Sequence, residues 1–447
     1  MTKKIKFLTI FIIIISLNLA FADNKNQYLP EKVMNSDSFN LFELIDIALK
    51  NNPKTKISYN NILMNQTELK NSIISLFPNV GANYIRYFED KMQKATVNAE
   101  YNFNQLAINA IEYKKLKNKK LITEFENSII VKNIMMDVIN TYFQLLSLKE
   151  EENALKDLLE YSNKVKEIAR FKYDVGLITL NEKLNAEIND SDTNLKLLTT
   201  RKSIKELTGI LNNILNINPE EKLEINYDGV KFTNELKGYQ FYIGSAKSHR
   251  EELKTLYRKK EIERLNNTVL KISMLPTVDI RAAYVAYDKH VYRYRYNDNN
   301  FETVLSIQFS LNNFLQTIGL IKNNRRSINS IDLEIELKEK EINLEIWKIY
   351  QNCLLDVNSF KNIKDRLTFS KENLELQLGM YKESKSSMVE LLDAYSKYST
   401  AKSSFIRTKF DIVIHKIQLL NSIGLLDLTN IKNIINIDGT KYENIQK

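Results

Sequence analysis

The sequence is poor in glycine and proline and has a single cysteine. Its 447 residues include 10 Gly and 5 Pro, well below the usual shares of about 7% and 5%. No proline lies between Pro78 and Pro219, and such a stretch favours very long helices. Cys353 alone cannot form an intramolecular disulfide, and the three scattered histidines lack the spacing of metal ligands. The composition therefore argues against disulfide-stapled and metal-dependent proteins.

Catalytic and nucleic-acid-binding patterns are also missing. The chain has no nucleophile motif, no glycine-rich phosphate loop and no catalytic constellation, so we expect neither enzyme activity nor a cofactor. The formal net charge of +9 falls to +6 once three lysines of the N-terminal segment are removed. Because the remaining excess is scattered along the chain, it forms no basic patch for nucleic acid.

The first 22 residues have the pattern of a secretory signal peptide. Three lysines precede an apolar run that begins at Phe7, and Ala20-Phe21-Ala22 forms an A-x-A cleavage site. An uncleaved membrane anchor is the less favoured alternative, because the run is shorter than the ~20 residues that a spanning helix needs. We therefore predict export from the cytoplasm and removal of residues 1–22.

The rest of the chain contains a tandem duplication. Residues 48–80 align with residues 246–278 at an offset of 198, and Pro78 falls on Pro276. From residue 101 onward the offset is 208, so the second copy has about ten additional residues, which fall near 289–300. A period near 200 is too long for a solenoid and indicates a duplicated domain. The predicted organisation is a linker 23–39, repeat 1 at 40–216, a connection 217–238, repeat 2 at 239–425 and a tail 426–447.

Each repeat has the same predicted order of helices. In repeat 1, Asn40 and Glu43 open a helix over 41–75, and helices over 104–172 and 178–215 follow. The long helix carries two apolar rows with three-and-four spacing, which is typical of a helix with a neighbour on each side. The rows are Val131, Ile134, Val138, Tyr142, Leu145 and Met136, Ile139, Phe143, Leu146. In repeat 2, Trp347 and Cys353 are expected to pack between helices.

A β-hairpin is predicted between the first two helices of each repeat, over 80–104 and 278–312. Residues 96–103 and 304–311 alternate polar and apolar side chains without a fault. Strands of roughly 9 to 10 residues with this alternation are typical of transmembrane β-strands. A half-buried hairpin of a soluble protein has a similar pattern, so the alternation alone leaves both interpretations open. The additional residues 289–300 are expected to form an exposed loop.

The helix lengths favour the membrane interpretation. In repeat 1 the two short helices contain about 73 residues together, and the long helix contains about 69. Two short helices stacked end to end would thus match one long helix in a column of about 105 Å. Each chain would supply four columns and four strands. Since four strands cannot close a barrel and open sheet edges do not occur in lipid, several chains would have to pool their strands.

The order of these motifs resembles the TolC-type outer-membrane efflux and secretion channels. The relevant segments are NNP (51–53), LFPNV (76–80), YDVGL (173–177), MLPTV (274–278) and VELLDA (389–394). The resemblance covers residues 40–425, and the order and duplication are more specific than any single motif. It implies a mainly α fold with membrane β structure, in which a homotrimer forms a 12-strand outer-membrane β-barrel continued by a 12-helix periplasmic α-barrel.

The turn after the first long helix is expected to be the adaptor-docking tip. Gly176 lies where the chain must reverse direction after that helix. Only glycine adopts the left-handed backbone conformation of such a turn without a steric penalty. By resemblance, Val175, Gly176 and Leu177 form the surface that docks a periplasmic adaptor. Ser384 takes the place of Gly176 in repeat 2, so either that turn has another geometry or the serine is strained.

By the same resemblance, acidic residues just past each turn line a closed periplasmic constriction. Glu390 and Asp393 lie three residues apart on one helical face, and Glu182 is the equivalent of Glu390 in repeat 1. Tyr381 is expected to help hold the constriction closed. A basic residue that some relatives carry would fall at Ser386. The competing interpretation of any single acid on a long helix is a solvated surface charge.

The sequence therefore predicts a passive trimeric channel-tunnel in the outer membrane with a large periplasmic portion. It would serve as the exit duct of a tripartite efflux pump or type I secretion system, with a periplasmic adaptor, an inner-membrane pump and outer-membrane lipid as partners. The alternative is a periplasmic coiled-coil adaptor or structural tether without a pore. A tether has no need of four alternating strands, which distinguishes the two.

Overall fold

The computed structural model describes residues 38–88, 92–226, 236–291 and 294–435. The predicted signal peptide and most of the linker lie outside the described residues. Within these ranges the chain forms nine α-helices and four β-strands. In chain order they are α1 (Leu41–Asn51), α2 (Pro53–Ile74), β1 (Asn79–Tyr87), β2 (Met92–Asn102), α3 (Phe103–Asp174), α4 (Leu180–Ile214), α5 (Tyr239–His249), α6 (Glu251–Ser273), β3 (Thr277–Val291), β4 (Tyr294–Gln308), α7 (Leu311–Lys382), α8 (Met388–Ser422) and α9 (Leu428–Ile435).

The segment predicted as one helix over 41–75 forms two helices, so that prediction is wrong. Its start is correct: the Asn40 side chain accepts from the Glu43 N–H, and the Glu43 carboxylate accepts from the Asn40 N–H, both at 3.0 Å. The helix ends early because a residue that precedes proline avoids the helical region. Asn52, before Pro53, is extended with ψ 128°, and its side chain caps α2.

The two long helices form as predicted. α3 and α7 have 72 residues each, which corresponds to about 108 Å. Each begins at the end of a strand, where the side chain of Asn102 or Ser310 accepts a hydrogen bond from the first turn. No helix in the described ranges contains a stretch long and apolar enough to cross a bilayer.

The helices pack side by side in four columns. α3 contacts α2 and α4, and it also contacts α6 and α8, which in turn pack against α7. The column order is therefore α2/α4, α3, α6/α8, α7. α4 also contacts α8 at Thr193; elsewhere among the described residues, each of the two outermost columns has a helical column on one side.

The short helices stack end to end, as the length argument predicted. Asn52 Nδ2 donates to the Ile214 carbonyl at the end of α4, at 2.9 Å. In the other column, Arg250 Nη1 donates to the Ser422 carbonyl at the end of α8, at 3.1 Å. Asn52 and Arg250 are equivalent at the offset of 198, and Ile214 and Ser422 are equivalent at the offset of 208. The two joints therefore correspond to each other in the two repeats.

The predicted match in residue number is wrong. α2 and α4 have 22 and 35 residues, against 72 in α3. The difference arises because α1, which the proline separates from α2, packs on α3 beside the joint instead of lying in the column.

The largest core lies at the level of these joints. Both predicted rows of α3 belong to it, with Val131 partly buried and the others buried. The rings of Phe143 on α3 and Phe410 on α8 have centroids 6.4 Å apart, while Leu211 and Leu215 reach the same core from α4. The prediction of a helix with a neighbour on each side is thus confirmed.

Two elements of this core were not predicted. α9 lies in the segment assigned as a tail, and Phe39 forms a parallel bridge with Ile225 of the inter-repeat connection. Ile431 and Ile435 of α9 are buried in the core. Short segments of this kind carry too few residues for a helical or strand period to be recognised.

Of the two residues of α7 that were predicted to pack between helices, Cys353 does so and Trp347 does not. Cys353 is buried as expected, and burial, its largest influence, raises the pKa of its thiol to about 12. Trp347 on the same helix is 49% exposed, so within this chain it does not pack between helices. It points from the side of α7 that carries other exposed apolar residues.

The four strands form one antiparallel sheet in the order β1-β2-β3-β4. β2 pairs with β3 and thereby joins the two repeats. The expectation of a loop over 289–300 is wrong, because β3 continues to Val291 and β4 begins at Tyr294. These strands have 15 residues each, against 9 and 11 in β1 and β2. Valine and tyrosine favour strands, so this segment extends the ladder.

One face of the sheet is apolar and exposed, as the alternation predicted. Residues opposite each other in the ladder share a face, for example Val97 with Tyr284 and Ile280 with Leu305. This apolar face comprises Val80, Ala82, Tyr84, Val97, Ala99, Tyr101, Val278, Ile280, Ala282, Tyr284, Phe301, Leu305 and Ile307. Val80, Phe301 and Ile307 are at least 70% exposed. The opposite face carries most of the polar side chains.

Candidate functional site

Each long helix reverses through a five-residue turn, which we call the first tip (175–179) and the second tip (383–387). Gly176 is left-handed with φ +76°, as predicted. Its N–H donates to the Tyr173 carbonyl at 2.9 Å, and the Leu177 N–H donates to the Lys172 carbonyl at 2.8 Å. This pair of bonds is the Schellman motif, which satisfies carbonyls at the end of a helix.

The second tip has the same geometry. Ser384 has φ +58°, its N–H donates to the Tyr381 carbonyl at 3.1 Å, and the Lys385 N–H donates to Met380 at 2.8 Å. Of the two alternatives, a strained serine is therefore the one observed. The left-handed conformation costs a residue with a Cβ roughly 1–2 kcal/mol.

The surfaces of the two tips differ in character. Val175 and Leu177 at the first tip are 52% and 65% exposed, and no atom lies within 4 Å of where a Cβ of Gly176 would be. At the second tip, Lys385 pairs with Glu383 at 2.5 Å, and both side chains are exposed. The first tip therefore presents apolar surface and the second presents charge.

Glu182 and Glu390 both act as caps of the helices that follow the tips. The Glu182 carboxylate accepts from the Thr179 N–H at 3.0 Å, and the Glu390 carboxylate accepts from the Ser387 N–H at 2.9 Å. The latter bond is the main reason why the pKa of Glu390 lies below its usual value. Sequence reasoning missed this role, although Ser or Thr three residues before Glu is the signature of a capping box.

The other predicted gate positions also have partners within the chain. Asp393 forms an ion pair with Lys397 at 2.6 Å, with both side chains more than half exposed. The Ser386 hydroxyl lies 2.7 Å from Gln377 Oε1 and 2.8 Å from Glu390 Oε2. Glu390 and Asp393 thus share one helical turn but bind different groups.

Tyr381 is buried at the second tip under a lysine from the first repeat. The Lys172 ammonium lies 4.4 Å from the centre of the Tyr381 ring and donates to the Tyr381 carbonyl at 2.5 Å and to Ser384 Oγ at 3.0 Å. Burial, with a smaller contribution from the Glu182 carboxylate, raises the pKa of Tyr381 to about 12. Lys172 therefore ties the end of α3 to the end of α7.

The importance of Lys172 was also missed from the sequence. It is 6% exposed and continues the buried row that contains Val165 and Ala169. A lysine at an apolar position of a helical period is the available signal, because a buried ammonium needs hydrogen-bond partners. Its partners lie more than 200 residues away and could not be named.

The chemistry at the tips is that of caps, ion pairs and packing. Within the part of the chain that the structure describes, no group of three His, Cys, Asp or Glu could hold a metal ion. The contacts around Tyr381 can hold the two helical hairpins together or, if broken, release them.

The chain resembles known proteins in its fold. No protein-family model and no curated protein sequence matches the chain. The outer membrane protein VceC from Vibrio cholerae superimposes with a TM-score of 0.73 at 14% identity, over 86% of this chain and 96% of that chain. The chain has the TolC-type outer-membrane channel fold.

Two further structures share the TolC-type fold. The CmeC outer membrane channel of Campylobacter jejuni has a TM-score of 0.70 at 17% identity, with 89% of each chain covered. The MtrE outer membrane channel of Neisseria gonorrhoeae, in its open state, has a TM-score of 0.71 at 13% identity, over 86% of this chain and 89% of that chain. The mainly helical fold with one small sheet, inferred from the order of the motifs, is confirmed for the single chain.

Proposed function

We propose that the chain forms a trimeric outer-membrane channel-tunnel, the passive exit duct of a tripartite efflux pump or type I secretion system. The sheet carries this proposal. One face is apolar and exposed, and β1 and β4 each have one long edge without a partner strand among the described residues. A sheet in lipid must be closed, because unpaired backbone groups cannot be hydrated there. Three copies would supply twelve strands.

The helical layer supports the same assembly. From residue 333 onward, the exposed large apolar residues of α7 lie within about 40° of a common direction at 100° per residue, and they are Leu333, Leu337, Leu344, Trp347, Leu355, Phe369 and Leu376. The opposite outer column exposes Leu184, Ile188 and Leu195 of α4. Two different apolar flanks favour a head-to-tail contact, which generates a ring when the rotation closes.

The test is assembly and conductance of the mature chain in mild detergent and in planar bilayers. We expect a trimer by sedimentation, heat-modifiable migration from outer-membrane fractions, and a conducting pore. Leu355→Glu should abolish the trimer because it places a charge in the proposed contact. Lys364→Glu, an exposed position on another face of α7, should leave the trimer intact. A stable folded monomer, or a trimer without conductance, would favour a periplasmic adaptor or tether instead.

We further propose that the tips form the periplasmic end of the duct. The exposed Val175 and Leu177, with Gly176 between them, supply an apolar surface that fits a periplasmic adaptor bound to an inner-membrane pump. Glu390 and Asp393, with Glu182, would line the constriction. Tyr381, held by Lys172, would keep the two hairpins of each chain together.

Removing the charges at the constriction should change ion block. Three copies of Glu390 and Asp393 around a narrow mouth repel one another by roughly 3 kcal/mol per pair at about 6 Å and an effective dielectric near 20. Trivalent cations should therefore block the channel from the periplasmic side. The double variant Glu390→Gln, Asp393→Asn should lose this block, while Gln still caps α8. Glu383→Gln, which removes an acid outside α8, is the control.

Bilayer conductance decides this prediction. Block of the double variant at the concentrations that block the wild type would show that the two acids are ordinary surface charges. Loss of block in the Glu383→Gln control as well would point to the general charge of the tip, and the assignment to Glu390 and Asp393 would then be wrong.

A further inference from the structure

A groove in the helical layer combines unpaired positive charge with hydroxyl groups. Its volume is about 760 Å³, and α3, α4, α7 and α8 all line it. Lys196 comes from α4, Arg366 from α7 and Arg407 from α8. Hydroxyl-bearing residues of α4 and α8, among them Thr199 and Ser404, line the same groove.

The groove lies on the concave side of the layer. α4 and α7 belong to the two outermost columns, which α3 and α8 separate, so a groove that touches both must be on the side toward which the layer curves. Just nearer the tips, Thr193 Oγ1 and the Tyr395 hydroxyl lie 2.9 Å apart and join α4 to α8. Leu155 in the groove wall is 19 residues before the end of α3, about 29 Å along the helix.

None of the three cations forms an ion pair with a described residue, although the Asp411 carboxylate, four residues after Arg407 on α8, attracts the Arg407 guanidinium. No carboxylate of the described chain lies within 4 Å of Lys196, Arg366 or Arg407. Some other cations on the helices that line the groove do form ion pairs, as in Arg170 with Glu187, Arg201 with Glu152 and Lys409 with Glu150. The groove thus brings three cations without an ion pair in the described chain to one space.

The one acid among the described residues of the groove wall offsets only part of this positive charge. Glu151 accepts a hydrogen bond from Ser403 at 3.1 Å, which holds its carboxylate against α8. Arg366 also borders an adjoining hollow lined by Asp365 and by Lys397, whose ion-pair partner is Asp393. Because three cations and one acid line the groove, its net charge remains positive.

Three cations from separate helices that face one space repel one another, and a bound anion relieves this repulsion. Guanidinium groups bind phosphate and carboxylate through paired hydrogen bonds, and hydroxyl groups add further donors. We propose that this groove binds anionic solutes that carry phosphate or carboxylate groups. The further step, that this groove binds solutes on their way through the duct, rests on the proposed function, because the concave side would face the lumen of the duct.

Pyrophosphate is a suitable probe, because its charge can span two cations. Calorimetric titration of the purified mature protein in detergent at low salt should show saturable binding. Arg366→Gln with Arg407→Gln should weaken binding at least tenfold, and the corresponding Lys double variant should retain part of it. Lys361→Gln with Lys364→Gln removes two exposed cations of α7 outside the groove and should leave binding unchanged. Spermidine, a cation of similar size, should not compete.

Equal affinity of the wild type and the arginine double variant, or absence of pyrophosphate binding, would overturn the proposal. If the double variant fails to assemble, the two single arginine variants are measured instead. Unchanged pyrophosphate affinity in both of them would also overturn the proposal. Conductance of the same preparations separates this inference from the proposed function. Arginine-dependent binding by a protein that forms no pore would retain the site and refute the duct, whereas a conducting trimer without such binding would refute the site alone.

Discussion

Gly424→Ala should destabilise the protein by about 2–5 kcal/mol, the sum of overpacking and left-handed strain. Gly424 has φ +79°. A Cβ there would lie 2.8 Å from the carbonyl carbon and oxygen of His249 and 3.0 Å from the nitrogen of Arg250. These are backbone atoms at the joint between α8 and α6, so they cannot rotate away.

Gly176→Ala is the matched control for this prediction. Gly176 is also left-handed, but its Cβ would meet nothing within 4 Å, so only strain of about 1–2 kcal/mol is expected. The equivalent of Gly424 in repeat 1 is Asn216, with φ +59°, which shows that the first joint tolerates a side chain. In urea unfolding followed by circular dichroism, the Gly424→Ala variant should have a clearly lower free energy of unfolding than the Gly176→Ala variant. Similar losses in both would mean that the joint is not tightly packed.

Asp356→Leu should destabilise the protein by about 1.5–3 kcal/mol, the value of a charge-assisted hydrogen bond. Asp356 lies 2.7 Å from His415 Nδ1, and both side chains are largely buried between α7 and α8. The equivalent residues of repeat 1, at an offset of 208, are Leu148 and Leu207. The double variant Asp356→Leu, His415→Leu should therefore be close to the wild type or more stable, because two apolar groups can replace a buried pair at little cost.

The same pair should make stability depend on pH. The hydrogen bond to Asp356 is the main cause that raises the pKa of His415 above 6.5, while burial opposes it and Asp411 adds a smaller contribution. Because the folded pKa is the higher one, the stabilisation is complete below about pH 6.5 and is lost as the pH rises through the folded pKa. Unfolding measured from pH 6 to 8.5 should show a decline in the wild type that the double variant lacks. Parallel profiles would show that His415 is not charged in the folded protein.

Local features of the fold were predictable because each depends on residues close together in sequence. The capping box at Asn40, the apolar rows of α3 and the alternation in the strands follow from periods of 3.6 and 2 residues. The left-handed turn at Gly176 follows from its missing Cβ. Errors arose where a second local signal was overlooked, as with Pro53 inside the predicted first helix and the strand-forming residues after position 288.

The candidate site was predictable only in part. Its location just past the tips and the identities of Glu182 and Glu390 came from the resemblance, while their capping contacts could have been read from Thr179 and Ser387. Lys172 could be recognised as unusual from its place in a buried row. Its contact with Tyr381 could not be predicted, because a helical period gives no information on contacts with the other repeat.

The sequence by itself thus determined which segments are helices and strands, which faces they bury, and that the whole pattern occurs twice. Only the tertiary structure decided what covers those faces: the pairing of β2 with β3, the joint at Gly424, the contact of Lys172 with Tyr381 and the convergence of Arg366 and Arg407 on one groove. The physical reason is that backbone hydrogen bonds and helical periods act over a few residues. Contacts between columns depend on how 72-residue helices are aligned along their whole length.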